Sequence, residues 1–343
     1  MNKIAIIGAG SWGTALAIVL SRSRKPHAIS LWAHESEIVE SVRSRRVNEV
    51  FLPGFELPEA VSATGNIVEA VEGAGIILGV MPSQHARELY SRILPHVSPG
   101  AAIVSATKGL EPESLLRISE VVEQAGSKTQ GLRVAAISGP SFAREVARGD
   151  PTAIVIASKD ASLAAEVQKE FSGPTFRLYT NPDIAGVELG GAIKNVIAIA
   201  AGVTEGLGFG HNTLAALITR GLAEMSRLGI ALGGKMETMS GLAGMGDLVL
   251  TCTGALSRNR SVGVELGKGR KIEEIIGSMR MVAEGVPTTA AARTLASRMG
   301  IEMPITQQMH AVLYEGRVPR DAIRELMERR LKGEYAMGPV MSS

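Results

Sequence analysis

The 343-residue chain is long enough for two domains, and its composition is that of an ordinary globular protein. Hydrophobic residues make up 45% of it and charged residues 20%, and the formal net charge is +2 at pH 7. These values exclude an intrinsically disordered chain and indicate no basic surface for nucleic acid. The single cysteine, Cys252, excludes an internal disulfide and any multi-cysteine metal centre.

The apolar stretches are too short for a membrane span, which needs about 18 apolar residues in a row. The best are 74–81 and 196–203. Glycines at 8, 10 and 13 interrupt the apolar stretch at the N-terminus too early for a secretory signal. A lone thiol beside 14 methionines fits a reducing compartment. We therefore expect a soluble, cytoplasmic protein without membrane insertion.

The first half of the sequence alternates short β-rich runs with helical stretches. We predict strands at 3–7, 29–32, 75–80, 101–106, 133–138 and 152–157. Several are continuously apolar, as strands covered on both faces are, and the spacing leaves room for crossover helices. The pattern predicts an α/β fold that begins with a Rossmann-type, doubly wound sheet.

The pattern changes near Asn181, after which helical periodicity dominates and no strand is evident. Asn181 followed by Pro182 predicts a helix start, because the fixed φ of proline suits the first helical turn. We predict a sheet domain over 1–180, an all-helical C-terminal domain over 181–336 and a loose tail over 337–343.

A glycine motif, Gly8-Ala9-Gly10-Ser11-Trp12-Gly13, follows the first predicted strand and opens a helical stretch. In dinucleotide-binding turns the first glycine makes the turn and the second lets the backbone approach the pyrophosphate. The third allows close packing of helix on strand. The alternative is a glycine-rich turn without a ligand, but the position of the motif favours a cofactor.

The end of the second predicted strand indicates which cofactor would bind. An NAD-specific site has an acidic residue there, whereas this sequence has His34 first and Glu35 after it. Three basic residues follow: Arg43, Arg45 and Arg46. We expect NADP(H), with NAD(H) also permitted by Glu35. An exposed loop histidine is the alternative for His34.

Two further positions follow predicted parallel strands. Lys108 comes after the strand at 101–106, and Gly139 and Ser141 come after the strand at 133–138. Open α/β sheets bind ligands beyond the carboxyl ends of their strands. We interpret these residues as ligand-binding; a solvated loop lysine is the alternative for Lys108.

Lys194 lies on a helix stripe of small residues, Gly190, Gly191, Ala198 and Ala201, beside an apolar face. A lysine on such a stripe is not on a solvated face, and desolvation lowers its pKa towards the range of a general base. We expect a cleft at Lys194. The alternative is a lysine whose stem lies along a helix seam while its ammonium reaches water.

The remaining candidates are polar groups in the second half. Asp247 would hold the Lys194 ammonium, accept a substrate hydroxyl or cap a helix. Ser257, Arg258 and Asn259 open a helical stretch and form either a phosphate site or an ordinary polar cap. Cys252 has no His–Asp pair near it in sequence, so we interpret it as structural. The histidines show no metal-ligand spacing, so we predict no metal site.

Six segments, in order along the chain, resemble bacterial NAD(P)-dependent glycerol-3-phosphate dehydrogenases. They are GAGSWGTA at 8–15, ATKGL at 106–110, SGPSFA at 138–143, ELGGAIKNV at 188–196, GLAGMGDL at 241–248 and SRNR at 257–260. The resemblance implies a Rossmann domain, a helical domain and a cleft between them. It also implies reversible reduction of dihydroxyacetone phosphate to sn-glycerol 3-phosphate, a precursor of glycerophospholipids.

The resemblance also implies roles for individual residues, with Lys194 as proton donor and acceptor. Residues that would line the substrate are Lys108, Gly139, Ser141, Lys194, Asp247, Ser257, Arg258 and Asn259. Residues that would contact NADP(H) or NAD(H) are Gly8, Gly10, Ser11, Trp12, Gly13, His34, Lys108, Ala143, Arg258, Val282 and Glu284.

Two other functions are open from the sequence. A β-hydroxyacid dehydrogenase has the same two domains and a helix-borne lysine, but holds a carboxylate in place of a phosphate. A regulator that senses NAD(H) would bind without turnover, although the near-neutral charge and the absence of a basic recognition helix oppose it. The expected partners are a small phosphate ester and, from the long apolar helices, a second copy of the chain in a homodimer.

Overall fold

The computed structural model describes residues 2–25, 27–127, 129, 131–331, 333 and 334. The predicted tail over 337–343 lies outside these residues. One sheet forms the first part of the molecule. Its strands are β1 Asn2–Ile7, β2 His27–Trp32, β3 Val61–Thr64, β4 Ala74–Gly79, β5 Ala102–Ser105, β6 Arg133–Ser138, β7 Thr152–Ala157 and β8 Phe176–Asn181.

The strand order is β3-β2-β1-β4-β5-β6-β7-β8. Neighbours from β3 to β6 are parallel, β7 is antiparallel to β6, and β8 is parallel to β7. The first six strands therefore have the order of a Rossmann fold, and the carboxyl ends of β1, β2, β4, β5 and β6 meet at one edge. The predicted fold class is confirmed.

The six predicted strands are present, and β3 and β8 were missed. Both missed strands lie at edges of the sheet and lack a continuous apolar run. In β8, Phe176 and Leu178 are buried whereas Arg177 and Tyr179 are exposed. This alternation is typical of a strand with one solvated face.

Helices cover both faces of the sheet and make up most of the described chain after it. Around the sheet they are α1 Ser11–Ser21, α2 Ser36–Arg45, α3 Ile67–Val71, α4 Ala86–Ile93, α5 Ile118–Ala125, α6 Ala143–Arg148 and α7 Ala161–Phe171. After the sheet they are α8 Ile184–Gly206, α9 His211–Ala231, α10 Met236–Met239, α11 Asp247–Thr253, α12 Arg258–Gly267, α13 Ile272–Gly277, α14 Gly285–Arg298, α15 Pro304–Tyr314 and α16 Pro319–Glu328.

The continuous apolar strands have a simple explanation in the two cores on either side of the sheet. Along β1, Ile4 and Ile6 belong to one core whereas Ala5 and Ile7 belong to the other. Successive side chains of a strand point to opposite faces, so a strand covered on both sides must be apolar at every position.

The helical part is built around α8, most of whose 23 residues are buried. This helix is long and apolar enough to cross a membrane by length and composition, and 94% of its apolar window is buried inside the protein. The apolar run in the sequence covers only 196–203 because three buried polar residues of the same helix, Glu188, Lys194 and Asn195, precede it. We describe α8 as the core helix of the helical part.

The predicted start of α8 at Asn181 is wrong by two residues. Asn181 is the last residue of β8, and the N-cap is Asp183, whose Oδ1 accepts a hydrogen bond from Gly186 N at 2.8 Å. Its Oδ2 accepts from Lys235 N at 2.7 Å. Asp183 therefore caps α8 with one carboxylate oxygen and, with the other, ties the helix to the segment before α10.

Replacing Asp183 with alanine should destabilise the helical part. The change removes the cap and leaves two N–H groups without their acceptor, at a cost of about 2 kcal/mol in the free energy of unfolding. Urea denaturation followed by circular dichroism measures this loss. Asp160→Ala is the matched control, since Asp160 caps α7 at an exposed position and its loss should cost less. Equal losses in the two variants would contradict the interpretation.

Candidate active site

The glycine turn between β1 and α1 has the geometry of a dinucleotide-binding turn. Gly8 has φ +121°, and a Cβ there would lie 2.8 Å from Val80 O. A Cβ on Gly13 would lie 1.9 Å from Gly8 O, so the third glycine allows α1 to pack on the turn. A Cβ on Gly10 would meet nothing within 4 Å. The second glycine therefore borders open space at the N-terminus of a helix, where a pyrophosphate fits.

His34 lies two residues beyond β2 and is exposed, with its ring 6.2 Å from that of Trp32. The downstream arginines all have partners in the chain. Arg43 Nε donates to Ala63 O, Arg45 Nη2 to Ser41 Oγ, and Arg46 to Leu57 O and Pro58 O. Arg43 and Arg46 thus bind the backbone of β3 and of the segment before it, and Arg45 stays within α2. Of these four basic residues, His34 lies closest to the end of β2 in sequence and is exposed.

Two lysines meet one buried aspartate at the carboxyl edge of the sheet. Lys194 Nζ, from the middle of α8, donates to Asp247 Oδ1 at 2.8 Å. Lys108 Nζ, from the loop after β5, donates to Asp247 Oδ2 at 2.7 Å and to Gly139 O at 3.0 Å. Asp247 is 1% exposed and begins α11. Of the roles considered for Asp247, the structure shows that its carboxylate accepts hydrogen bonds from lysine ammonium groups.

Lys194 is itself 4% exposed, so its ammonium does not reach bulk water along a helix seam. Its Nζ also donates to Thr251 Oγ1 at 2.6 Å. Burial is the main influence and lowers the pKa of Lys194 to about 8, with Asp247 opposing the shift and Lys108 adding to it. Burial thus brings the pKa of this lysine towards the range in which general acids and bases operate.

The small residues beside Lys194 serve a different purpose from the one predicted. A Cβ on Gly190 would lie 2.7 Å from Ala243 O, and one on Gly191 would lie 2.5 Å from Ser138 Oγ. The glycines allow a turn of π-helix, Leu242–Gly246, and the end of β6 to approach α8 closely. Gly190 and Gly191 therefore make room for Ala243 and Ser138 beside Lys194, and they do not line space for a ligand.

The loop after β6 joins the lysine cluster through its backbone. Gly139 has φ +143°, and a Cβ there would lie 2.9 Å from Ile154 Cα, so only glycine fits. Its carbonyl accepts from Lys108 Nζ and from Ser141 Oγ, the latter at 2.9 Å. Ala143 begins α6 immediately after this loop.

The start of α12 contacts α8 at Asn195, the residue that follows Lys194. Asn259 Nδ2 donates to Asn195 Oδ1 at 3.0 Å, and Asn259 Oδ1 accepts from Gly285 N at 2.8 Å. Ser257 caps the helix by accepting from Arg260 N at 3.2 Å. Both polar groups of Asn259 are engaged, whereas Arg258 is exposed and donates from Nη1 to Val282 O.

The segment before α14 connects the helical part to the glycine turn. Met281 Sδ lies 3.2 Å from Ser11 Oγ, and Glu284 accepts from Ser83 N at 3.2 Å and from Ser83 Oγ at 2.8 Å. Val282 is exposed at 37%. These contacts place the segment before α14 beside the start of α1 and the loop after β4.

Three residues of this region were missed from the sequence: Ser83, Thr251 and Asn195. Thr251 is four residues after Asp247 on α11, a spacing that places both side chains on one helix face. Ser83 follows β4 and so lies at the ligand edge of the sheet. Asn195 gave no signal, because its partner Asn259 is distant in sequence.

Cys252 is fully buried, and burial raises the pKa of its thiol to about 12. A thiol in this state is a poor nucleophile, in agreement with a structural role. Among the described residues, no group of three or more His, Cys, Asp or Glu side chains is placed to hold a metal ion.

Two family models match the chain. The NAD-dependent glycerol-3-phosphate dehydrogenase N-terminus matches residues 3–164, and the C-terminus of the same enzyme matches residues 183–324. The dehydrogenase of Koribacter versatilis, named as NAD(P)+-dependent, is 61% identical over 330 residues, which is 96% of this chain and 98% of that protein. The one from Citrifermentans bemidjiense is 54% identical over 333 residues, or 97% of this chain and 99% of that protein.

A solved structure agrees with these matches. The crystal structure of glycerol-3-phosphate dehydrogenase from Coxiella burnetii superposes with a TM-score of 0.91 at 43% identity, covering 96% of this chain and 99% of that one. Hydrogen bonds join five of the segments that carry the resemblance, through Lys108, Gly139, Lys194, Asp247 and the Asn195–Asn259 pair. The chain therefore belongs to the family of NAD-dependent glycerol-3-phosphate dehydrogenases and is an oxidoreductase.

Proposed function

We propose that this protein catalyses the reversible reduction of dihydroxyacetone phosphate to sn-glycerol 3-phosphate, using NADPH or NADH. The observation that carries the proposal is the cluster at the ligand edge of the sheet in which the partly exposed Lys108 and the buried Lys194 share the buried Asp247. The family supports the reaction, since the relatives at 54–61% identity are named for it.

The cofactor site is supported by the fit of the glycine turn. Gly10 borders open space, and the first turn of α1 presents N–H groups that have no partner within the helix. Ser11 and Trp12 begin that helix, and His34 is exposed beyond β2, where a 2′-phosphate would lie. A nicotinamide dinucleotide held there supplies the hydride.

Lys194 is the proton donor in the direction of ketone reduction. Its ammonium is buried, so a charge that develops on the substrate oxygen meets a positive group in a medium of low dielectric constant. After the proton leaves, the neutral amine is stable because burial disfavours the charged form. In the reverse direction the same amine accepts the proton of the alcohol.

Lys108 and Asp247 prepare this lysine for its role. Asp247 holds both ammonium groups within hydrogen-bond distance, which prevents their mutual repulsion from separating them. Lys108 is the more exposed of the two lysines, with 19% of its side chain accessible against 5% for Lys194. It adds positive charge near the substrate oxygen without being the proton donor.

Arg258 is the group best placed to bind the phosphate ester. It is exposed at the N-terminus of α12, and a guanidinium matches the oxygens of a phosphate. Ser257 and Asn259 support it through the helix cap and through the contacts to α8 and α14. Binding a remote phosphate orients the ketone at Lys194.

The wider role follows from the product. sn-Glycerol 3-phosphate is the backbone on which glycerophospholipids are built, so we infer that the enzyme supplies phospholipid synthesis from the cytoplasm. We also retain the prediction of a homodimer, which sedimentation analysis would test.

An activity panel tests the function and the cofactor together. We expect NADPH oxidation with dihydroxyacetone phosphate and none with 3-keto acids. In the reverse direction we expect NADP+ reduction with sn-glycerol 3-phosphate and none with 3-hydroxy acids. Because a basic His34 stands where an NAD-only site has a carboxylate, kcat/KM for NADPH should equal or exceed that for NADH. A preference for NADH of about a hundredfold would overturn the cofactor assignment.

Lys194→Met should lower kcat by about 10²- to 10⁴-fold, because it keeps much of the stem and removes the transferable proton. NADPH affinity, measured by fluorescence titration, should change little, since the glycine turn holds the cofactor. Lys159→Met, at an exposed lysine paired with Glu123, is the control and should leave turnover unchanged. A near-normal kcat in Lys194→Met would contradict the mechanism.

The pH dependence should have opposite signs in the two directions. The pKa of Lys194 is about 8, so kcat/KM for ketone reduction should fall as pH rises through that value, and alcohol oxidation should rise. In Asp247→Asn the carboxylate that favours the ammonium is lost, and both profiles should move to lower pH. Profiles that stay in place would exclude the coupling between the two groups.

Arg258→Ala should raise KM for dihydroxyacetone phosphate by about tenfold or more, as expected for the loss of a charge-assisted hydrogen bond worth about 1.5–3 kcal/mol. Steady-state kinetics at saturating NADPH measure the change. Arg270→Ala, at an exposed arginine paired with Glu265, is the control. A KM within twofold of the original would remove Arg258 from the phosphate site.

A further inference from the structure

The segment between α2 and β3 folds back over the glycine turn. Val47 and Glu56 form an antiparallel bridge that closes this segment into a compact loop. Leu52 and Leu57 anchor it in the core of the sheet domain, where each is 1% exposed. A long, ordered connection without helix or strand of its own usually has a function.

Asn48, near the start of this loop, is fully buried and contacts the glycine turn directly. Its Nδ2 donates to Ala9 O at 2.7 Å and to Thr14 Oγ1 at 2.8 Å. Its Oδ1 accepts from Phe51 N at 3.0 Å, inside the loop. The amide therefore connects the loop to both sides of the turn, and none of the roles implied by the family resemblance includes it.

These contacts decide the orientation of the peptide that joins Ala9 to Gly10. The Ala9 carbonyl points inward to Asn48, with Thr14 Oγ1 as a second donor at 3.3 Å. In a trans peptide the N–H points opposite to the carbonyl, so Gly10 N–H points away from Asn48. Gly10 is also the glycine of the turn that borders open space.

The orientation matters because an anion distinguishes the two ends of a peptide. An N–H stabilises a nearby phosphate, whereas a carbonyl oxygen repels it. A glycine-rich turn rotates its peptides easily. Without Asn48, Ala9 O would keep only the 3.3 Å bond from Thr14 Oγ1, and that hydroxyl would lose its own bond from Asn48. The carbonyl could then rotate to the ligand side. A buried amide at this point removes that freedom before the ligand arrives.

We propose that Asn48 is a positioning residue for the cofactor: it fixes the Ala9–Gly10 peptide so that Gly10 N–H serves the pyrophosphate. The inference rests on the proposed function, since it needs a dinucleotide at the turn. It predicts a defect in cofactor binding that is separate from substrate binding and from catalysis at Lys194.

Asn48→Asp tests this role, because aspartate keeps an acceptor for Phe51 N and replaces the donor to Ala9 O with an oxygen. We expect the Kd for NADPH, from fluorescence titration, to rise about tenfold or more. KM for dihydroxyacetone phosphate at saturating NADPH should stay within about twofold. Asn48→Ser, whose hydroxyl is too short to reach Ala9 O, gives a second variant with the same expected result.

Ser41→Ala is the matched control. Ser41 is 5% exposed and its Oγ donates to Val47 O at 2.7 Å, so it anchors the same loop without contacting the turn. Its Kd for NADPH should not change. An unchanged Kd in either folded Asn48 variant, or equal rises in Ser41→Ala and Asn48→Asp, would overturn the proposal. Equal rises in NADPH Kd and substrate KM would also do so. Failure of the unaltered protein to bind NADPH would instead reject the proposed function.

Discussion

Two ammonium groups repel each other when they share a buried pocket, and the repulsion grows as water is excluded. In this protein Lys108 and Lys194 are held together because Asp247 stands between them, with one carboxylate oxygen for each. With both lysines protonated, the net charge of the cluster is +1, and this positive charge can stabilise a negative charge on a substrate oxygen. Without this carboxylate, the repulsion would favour loss of the proton from Lys194, whose pKa Asp247 raises and Lys108 lowers.

The cluster also requires that the sheet domain and the helical part be held in a fixed relative position. Lys108 belongs to the sheet domain and Lys194 to the helical part, so the two must be held in register. Leu110, two residues after Lys108, is 1% exposed in the core of the helical part. On the other side, Glu188 of α8 accepts from Ser119 N at 2.8 Å and from Arg117 Nη1 at 2.9 Å. The loop that carries Lys108 is therefore fixed to the helical part at both ends.

Much of the fold was predictable because it depends on patterns local in sequence. Continuous apolar runs located the central strands, and the glycine motif located the turn before α1. The edge strands β3 and β8 were missed, since a strand with one solvated face has fewer apolar residues. The helix cap at Asp183 was displaced from the predicted position because its second partner, Lys235 N, is distant in sequence.

The site was predictable to the extent that residue type limited the chemistry. Lysines and an aspartate in small-residue segments indicated a buried proton-transfer group, and the structure brings Lys108, Lys194 and Asp247 together. The glycines beside Lys194 were interpreted as space for a ligand, but they admit neighbouring backbone instead. Asn48 and Asn195 could not be identified, since an amide that links distant segments has no periodicity or spacing to reveal it.

The antiparallel direction of β7 limits where insertions and deletions can occur during evolution of the sequence. Because β8 runs antiparallel to β6, α8 begins near the amino end of β6 and must travel about 15 Å to bring Lys194 to the other edge. One inserted or deleted residue between Ile184 and Lys194 would turn the lysine by about 100° around the helix axis and remove it from Asp247. Insertions and deletions among descendants of this chain should therefore occur outside the segment from Ile184 to Lys194, whose length is fixed by the distance it spans.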